Sequence, residues 1–480
     1  MRRWQLLCAV AAVIAGLVGI DAQATYGARV SADEPQYLLT AISLYEDFDL
    51  DISDELAEDR FRPFHEVDLN QQTLDLDGAG QRISPHDPLL PLVLAIPTGL
   101  WGWAGAKATL ALFAGAVAAL TYSIAVRRFG VMSRIAGVVV TAFFVGSPFA
   151  SYGAQVYPAM PAALCVCAGI YAVTGRLSWR NGLVVVVAVF ALPWLAVKYV
   201  PVAAVLAIGL MQRLWADGER ALFGAVLVAF AIGGLTYAVV HLRIWGGLTV
   251  YASGDHFVGG EVEVVGTDPQ YVARTNRLLG LLIDRYYGIA AWSPAFLLMP
   301  PGLYVLGRRY REMVSGRRFD SVIVLLTIAA GWAVATWVAL TMHGWWWSGR
   351  QIVPILPLVV VAVSVLVDKF RTLLRPLMFA GAVGMLNWTW IAVEASTDRL
   401  ALIVDHEETT NPLFQAWKEL LPDHRIDGLV DQAMTVGWGV VFVAMVVGCG
   451  VHDRNATTGN PEPRVEELST ELTGASQRVC

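Results

Sequence analysis

The segment ALFGAVLVAFAIGGLTYAVVHL (residues 221–242) is strongly apolar and contains no Asp, Glu, Lys or Arg. About 20 consecutive apolar residues are enough for an α-helix to cross the ~30 Å hydrocarbon core of a bilayer. The segment therefore predicts a transmembrane helix. Comparable apolar segments recur along the chain, at residues 4–20, 89–103, 107–126, 134–150, 157–174, 182–194, 200–214, 289–306, 321–341, 353–367, 377–393 and 429–450.

The composition of the whole chain agrees with this pattern. Of its 480 residues, 56% are hydrophobic and 15% are charged, and the mean hydropathy is +0.55. The segment at 89–103 contains Pro91 and Pro97, and each proline removes a backbone hydrogen-bond donor, so we expect a re-entrant or interfacial piece there. The sequence predicts an all-α integral membrane protein, a polytopic helical bundle of about 12 transmembrane helices.

The first apolar segment follows Arg2 and Arg3 and ends before Asp21-Ala22-Gln23-Ala24, which resembles a small-residue cleavage site. Both a signal peptide and a first transmembrane helix fit this arrangement. We favour a retained helix, because cleavage would leave Asp33 only a few residues from a mobile N-terminus.

Basic residues predict the orientation, because the translocation machinery retains basic loops in the cytoplasm. One set of alternate loops, together with the N-terminus, holds seventeen basic residues against five acidic ones; the basic residues are Arg2, Arg3, Arg127, Arg128, Arg134, Arg176, Arg180, Arg213, Arg220, Arg308, Arg309, Arg311, Arg317, Arg318, Lys369, Arg371 and Arg375. Both termini are therefore predicted to be cytoplasmic, and residues 451–480 to form a disordered cytoplasmic tail. Few of the basic residues are lysine, which favours a GC-rich genome and hence a bacterial plasma membrane.

Residues 1–450 are thus predicted to form one transmembrane domain with three large extracytoplasmic segments, at 21–88, 245–287 and 394–428. The first of them is strongly acidic, with sixteen Asp or Glu between residues 21 and 87 against four Arg. It is too polar to lie in hydrocarbon, so we expect a folded outer loop.

The stretch Ser31-Ala32-Asp33-Glu34-Pro35-Gln36-Tyr37-Leu38 opens this loop and is the candidate for the chemistry of the protein. Two carboxylates followed by proline are typical of a helix N-terminus that fixes an acid in space. The apolar residues that follow have helical spacing and predict an amphipathic helix on the membrane surface. An ordinary acidic helix cap fits the motif as well.

Two basic residues run against the charge bias of the loops. Lys198 lies at a predicted outer turn, and Arg350 lies after His343-Gly344-Trp345-Trp346-Trp347 at the outer end of a span. Such positions are costly unless the charge is solvated or paired. An anionic head group at the outer surface would explain both, although snorkelling to lipid phosphates and an interfacial tryptophan belt are the alternative. Arg285 is a further candidate, but it could pair with its neighbour Asp284.

Asp47, Asp49 and Asp51 alternate with apolar residues and would share one face of an extended segment. Carboxylate oxygens suit hard cations, so the triplet is a candidate site for Mg²⁺, Mn²⁺ or Ca²⁺. A solvated acidic edge is the alternative, because the spacing fixes no further ligand. No cofactor is certain from the sequence.

Several motifs carry a resemblance to a known family. They are Asp33-Glu34-Pro35-Gln36-Tyr37-Leu38, Asp47-Phe48-Asp49-Leu50-Asp51, His86-Asp87-Pro88-Leu89-Leu90-Pro91, Asp284-Arg285-Tyr286-Tyr287-Gly288 and Gly349-Arg350-Gln351-Ile352-Val353-Pro354. Their order and topology resemble the GT-C membrane glycosyltransferases, in the branch of protein O-mannosyltransferases and aminoarabinose lipid A transferases. The chain lacks the large C-terminal periplasmic domain of the better-known members, which leaves the acceptor open.

The resemblance implies a sugar donor on a polyprenyl phosphate and an acidic residue of the first loop near the acceptor, which maps onto Asp33, with Glu34 second. The chemistry needs a base for the acceptor hydroxyl and cations for the departing phosphate, and one displacement inverts the anomeric centre. The candidates for the phosphate are Arg350, Lys198, Arg285, Arg82 and His86. The candidates for the acceptor or sugar pocket are Tyr37, His343, Trp346 and Trp347.

The predicted function is transfer of a sugar to an extracytoplasmic hydroxyl of a cell-envelope glycan, a lipid or a protein, with membrane lipids but no nucleic acid as further partners. The alternative is a transporter of a lipid-linked or soluble sugar, because twelve spans with both ends inside are common among carriers. Against transport, the halves show no convincing repeat, and the spans hold few charges. A non-catalytic member of the same fold is a third interpretation.

Overall fold

The computed structural model describes residues 2–69, 72–73, 80–250, 270–312, 315–339, 341–426 and 428–458. Over these ranges the regular structure is helical, with isolated β-bridges in the first loop. The α-helices are α1 (Arg2–Val18), α2 (Glu34–Glu46), α3 (Ser53–Ala57), α4 (Leu89–Arg127), α5 (Ser133–Phe144), α6 (Phe149–Tyr152), α7 (Ala159–Val173), α8 (Trp179–Leu195), α9 (Val200–Ala216), α10 (Arg220–Ile244), α11 (Tyr271–Arg274), α12 (Arg277–Ile283), α13 (Ile289–Trp292), α14 (Met299–Glu312), α15 (Ser315–Ala333), α16 (Leu356–Lys369), α17 (Leu374–Ser396), α18 (Pro412–Lys418) and α19 (Leu429–Thr458).

Within the described residues, six helical segments are long and apolar enough to cross a membrane: Leu89–Arg127, Val197–Ala216, Arg220–Ile244, Arg318–Val338, Arg371–Ser396 and Leu429–His452. Three further apolar helices, α5, α7 and α8, are shorter. These helices support a multi-pass membrane protein, whereas the count of about 12 spans stays a prediction.

Helix α4 joins two segments that the sequence separates. The predicted re-entrant piece at 89–103 and the span at 107–126 form one helical element with a break at Gly102, whose φ of 61° and ψ of −156° are not helical. Glycine tolerates this conformation because it has no Cβ. The break changes the direction of the chain between the piece beside the first loop and the piece inside the bundle.

Helix α16 forms the centre of the bundle, because every residue from Leu356 to Val367 is buried. It packs against α4, α5 and α14. A helix that is apolar on all sides is stable only where neighbours cover the whole circumference. The turn that precedes α16 therefore lies against a rigid support.

Helix α2 packs against α4 and is buried along its first half, from Glu34 to Ala41. The expectation of an amphipathic helix on the membrane surface is therefore wrong. The reason is that Glu34 and Gln36 are buried as completely as the apolar residues around them. At the other end of α2 the ring of Tyr45 lies where a Cβ on Gly99 would be, so the glycine permits the close approach of the two helices.

Backbone hydrogen bonds join the three segments that were predicted to be extracytoplasmic. The first meets the third where the Gln23 amide donates to the Ala395 carbonyl, at 3.0 Å, and the Leu402 amide donates to the Gln23 carbonyl, at 2.8 Å. The second meets the third where the Arg285 amide donates to the Pro422 carbonyl, at 2.8 Å. The three segments thus form one connected layer over the bundle.

Candidate functional site

The guanidinium of Arg350 donates a hydrogen bond to the carboxylate of Asp33. Asp33 directly precedes α2, and its side chain makes no cap hydrogen bond to the helix. Arg350 follows Gly349, whose φ of +82° turns the chain a few residues before α16 begins at Leu356. Both side chains keep some access, with 18% of Asp33 and 13% of Arg350 exposed. The pair is therefore only partly enclosed by the protein.

Two aromatic rings flank the guanidinium of Arg350. Its central carbon lies 4.3 Å from the centroid of the Tyr157 ring and 4.9 Å from that of Trp346, both within cation–π distance. The Tyr157 hydroxyl donates to the Ser31 carbonyl at 3.3 Å, which ties this ring to the loop of Asp33. Burial opposes the charge of Arg350, but the carboxylate of Asp33 outweighs it and raises the pKa of Arg350 above its ordinary value.

Lys198 approaches the same pair from the turn between α8 and α9. Its Nζ donates to Oε1 of Gln351 at 2.9 Å, directly beside Arg350 in sequence. Lys198 also interacts electrostatically with Arg350 and with Asp33. Two cations and one carboxylate from three distant parts of the chain therefore converge, as the sequence analysis required for a phosphate-binding site.

The first loop returns to this region at His86 and Asp87. The His86 ring lies against the Tyr37 ring of α2, with 4.7 Å between centroids. Tyr37 follows Asp33 by one helical turn and interacts electrostatically with Arg350. Tyr37 and His86 thus lie beside the ion pair of Asp33 and Arg350, which we call the central pair.

Asp87 connects the loop to the turn of Lys198. Its Oδ2 accepts the Val197 amide at 3.2 Å, and its Oδ1 lies 2.9 Å from Nε2 of His241. The side chains of Asp87 and His241 are both buried. The His241 ring stacks between the rings of Tyr237 and Trp245, with centroid distances of 3.8 and 4.8 Å. Sequence reasoning missed this network, although a histidine within an apolar span is itself a signal.

Glu34 is fully buried, and its carboxylate holds neighbouring backbone segments in place. Its Oε1 accepts the Val156 amide at 2.5 Å, and its Oε2 accepts the amide and hydroxyl of Ser31 at 2.8 and 3.3 Å. Burial raises the pKa of Glu34, and the nearby charge of Lys107 only partly offsets it. A carboxylate enclosed in this way holds the turn before α2 and does not face the space around Arg350.

Lys107 is a second polar residue that the sequence analysis did not single out. It lies in α4, is buried, and donates from Nζ to the carbonyls of Ile20 and Arg29 at 3.2 and 2.7 Å. These contacts close the base of the first loop against the bundle. A charged residue at the edge of an apolar segment was the available signal.

Two of the candidate phosphate ligands have other contacts. Arg285 donates from Nε to the Leu421 carbonyl at 3.0 Å and lies 3.9 Å from Glu419, in the third loop segment. The Arg82 carbonyl accepts a hydrogen bond from the Ile52 amide, and the Arg82 amide donates to Oδ1 of Asp51, both within the first loop. Neither contact set places these side chains with Arg350.

His343 lines a cavity of about 600 Å³. Neither Asp33 nor Arg350 is among the residues that line this cavity. Nε2 of His343 is 3.5 Å from Oδ2 of Asp284, which also receives the amide and Nδ1 of His424 at 3.0 and 3.2 Å. Burial alone would raise the pKa of Asp284, but its interactions with His343 and His424 hold this pKa well below its ordinary value. Asp284 itself is fully buried, whereas His343 and His424 both line the cavity.

The tryptophans of the 345–347 run have different roles. Trp346 flanks Arg350, as described above, whereas Trp347 is 1% exposed and donates from Nε1 to the Ser147 hydroxyl. The Trp347 ring packs 4.6 Å from Trp292 and 6.2 Å from Trp388, between centroids. Of the two tryptophans proposed for the pocket, only Trp346 contacts the central pair.

The acidic triplet is divided by its hydrogen bonds. Asp49 accepts the Ser43 hydroxyl at 2.9 Å, and Asp51 accepts the amides of Ser53 and Arg82 at 3.1 and 2.8 Å. Both carboxylates therefore serve the turns of the first loop. Asp47 instead belongs to a group with Asp54 and Glu55.

Comparisons with known proteins found a similarity in structure but none in sequence. No family model matches the sequence, and no curated protein matches it. Among solved structures, the chain is similar to the crystal structure of ArnT from Cupriavidus metallidurans bound to undecaprenyl phosphate. The identity is 14%, the match covers 93% of this chain and 77% of that one, and the TM-score is 0.49.

Proposed function

We propose that the protein is an inverting membrane glycosyltransferase that moves a sugar from a polyprenyl phosphate to an acceptor hydroxyl. The observation that carries the proposal is the contact of Asp33 with Arg350, with Lys198 beside both. A base adjacent to two cations is what displacement of a sugar from a phosphate requires. The acceptor is an envelope glycan, a lipid or a protein.

In the proposed step the acceptor oxygen attacks the anomeric carbon of the donor. The O–H proton passes to the carboxylate of Asp33, the new O–C bond forms, and the bond from the anomeric carbon to the phosphate oxygen breaks. The electron pair leaves with polyprenyl phosphate, whose charge Arg350 and Lys198 stabilise. A single displacement on the face opposite the phosphate inverts the configuration.

We assign roles to the candidate residues from their contacts. Arg350 and Lys198 bind the phosphate, while Arg285 supports the third loop segment through Leu421 and Glu419. Glu34 is a positioning residue, because both of its oxygens are occupied by Ser31 and Val156. Tyr37 and His86 lie beside Asp33 and Arg350, so we assign them to the pocket for the sugar and the acceptor hydroxyl.

The test compares wild type with Asp33→Asn in detergent or nanodiscs. Release of free polyprenyl phosphate is measured with a panel of polyprenyl-phosphate sugars and a membrane extract as acceptor. We expect turnover in wild type to depend on the extract and to fall about 10²- to 10⁴-fold in the variant, since the base is lost. Binding of polyprenyl phosphate, measured by calorimetry, should persist in the variant.

Asp59→Asn is the matched control, because Asp59 is an exposed carboxylate of the same loop that contacts Arg62. Its turnover should equal that of wild type. Full turnover in Asp33→Asn would reject Asp33 as the base. If no donor of the panel reacts with wild type, transport of a lipid-linked or soluble sugar becomes the better interpretation.

A further inference from the structure

Three carboxylates converge at the end of α2 that lies away from Asp33. One oxygen each of Asp47, Asp54 and Glu55 lies within 4.8 Å of the others. Oxygens that bind one Ca²⁺ at 2.3–2.6 Å are at most about 5 Å apart. The separation of these oxygens therefore fits ligands of a single ion.

Glu55 gives this cluster a feature that surface acids lack. The residue is 2% exposed, and within the described part of the chain neither of its side-chain oxygens has a hydrogen-bond partner with ordinary distance and angles. Leaving a buried carboxylate without a donor is costly, so adjacent carboxyl groups must share either a proton or a cation.

The surroundings add negative charge and little positive charge. Asp47 caps the C-terminus of α2, where the helix dipole is already negative. The nearest arginine, Arg60, uses its guanidinium for Glu46, at 2.6 and 2.9 Å, and lies 3.7 Å from Glu58. The cluster therefore keeps an uncompensated negative charge that a cation would neutralise.

We propose that Asp47, Asp54 and Glu55 bind a Ca²⁺ ion that fastens the end of α2 to α3. Carboxylate oxygens are hard ligands, and a site with three of them suits Ca²⁺ better than Mg²⁺, which usually keeps its water and takes one or two carboxylates. Helix α2 has 13 residues, which places the ion ~20 Å along the helix from Asp33. The ion is thus structural, and its binding does not depend on glycosyl transfer.

The experiment is calorimetric titration of CaCl₂ into the full chain, stripped with EDTA and reconstituted in zwitterionic nanodiscs. Thermal unfolding is followed with and without Ca²⁺. We expect one ion per chain with a Kd of about 0.1–1 mM, in the range of extracellular Ca²⁺ modules, and an unfolding temperature that rises with Ca²⁺. Glu55→Gln and Asp54→Asn should each weaken binding by about tenfold or more, whereas Asp59→Asn should bind like wild type.

Asp47→Asn provides a further variant if Glu55→Gln does not fold, because Asp47 is exposed and should lose binding without disturbing the core. Two results would overturn the proposal. One is the absence of Ca²⁺ binding in wild type, with Glu55→Gln as stable as wild type or more stable, as a shared proton would require. The other is binding that survives in all three variants.

Discussion

Asp33 and Arg350 form an ion pair although 317 positions separate them in the sequence. One belongs to the turn before α2 and the other to the turn before α16. Since α16 is buried on all sides and α2 is buried along its first half, neither partner moves easily with its backbone. The relative position of this carboxylate and this guanidinium is thus a property of the bundle as a whole.

Replacing Arg350 by Lys should weaken donor binding even though the charge is kept. Lysine lacks the planar guanidinium that lies over Tyr157 and Trp346 and that can bind a phosphate through two hydrogen bonds. We expect the KM for the donor to rise about tenfold or more, with a smaller change in kcat. Arg285→Lys is the matched control and should leave KM unchanged; equal effects in both variants would contradict the roles assigned above.

Gly349→Ala should lower activity more than its small size suggests. Gly349 has a φ of +82°, and a Cβ there would lie 3.0 Å from Cγ2 of Ile289. Alanine is strained at this angle, so the turn would shift Arg350 from Asp33, at a cost of about 1–2 kcal/mol. We expect kcat/KM to fall while the protein still folds. Gly182 lies in α8 with open space around it, so Gly182→Ala should leave kcat/KM unchanged and should still fold.

Asp87→Ala should destabilise the protein and should also disturb the turn that carries Lys198. It removes the acceptor of the Val197 amide and leaves His241 buried without its carboxylate. Breaking a buried pair of this kind costs about 3–5 kcal/mol, which chemical unfolding in detergent would measure. Asp87→Asn retains an acceptor and should lose less stability. A loss below about 0.5 kcal/mol in Asp87→Ala would argue against the network.

Glu34 should make stability depend on pH in a defined direction. Burial raises its pKa above the ordinary value of 4.5, so the folded chain binds the proton more readily than the unfolded chain. Wild type should therefore gain stability as the pH falls from neutral through the raised pKa, and the gain should be complete below about 4.5.

Glu34→Gln removes the titrating group and should lack this gain, although its amide group against Val156 lowers stability at every pH. The readout is the unfolding temperature between pH 4.5 and pH 8, compared with Asp59→Asn as control. Parallel curves for wild type and Glu34→Gln would show that Glu34 does not titrate in this range.

Much of the candidate site could be named from the sequence, because its charges stand in unusual places. Asp33 follows an apolar segment and precedes a proline, and Lys198 and Arg350 run against the charge bias of the loops. What the sequence could not supply is their contact, since a pairing over such a separation depends on how the helices pack. The aromatic partner Tyr157 was missed for the same reason.

The fold was harder to predict in its details. Residues 133–144 form only a 12-residue helix, so an apolar run did not translate into a membrane-crossing length. Helix α2 has apolar residues at helical spacing, yet it is buried, because Ser31 and Val156 satisfy Glu34. Hydrogen-bonded acids of this kind look like surface residues in a sequence.

The contact between Asp33 and Arg350 bears on the order in which substrates can react. While Arg350 holds the carboxylate, Asp33 is a poor proton acceptor for water or for an acceptor hydroxyl. A donor phosphate would compete with the carboxylate for the guanidinium, so its arrival would release Asp33 for the role of base that we propose. Donor binding first, acceptor second, is then the kinetic order expected for the proposed transferase, because Asp33 can accept a proton only after the phosphate has taken its place at Arg350.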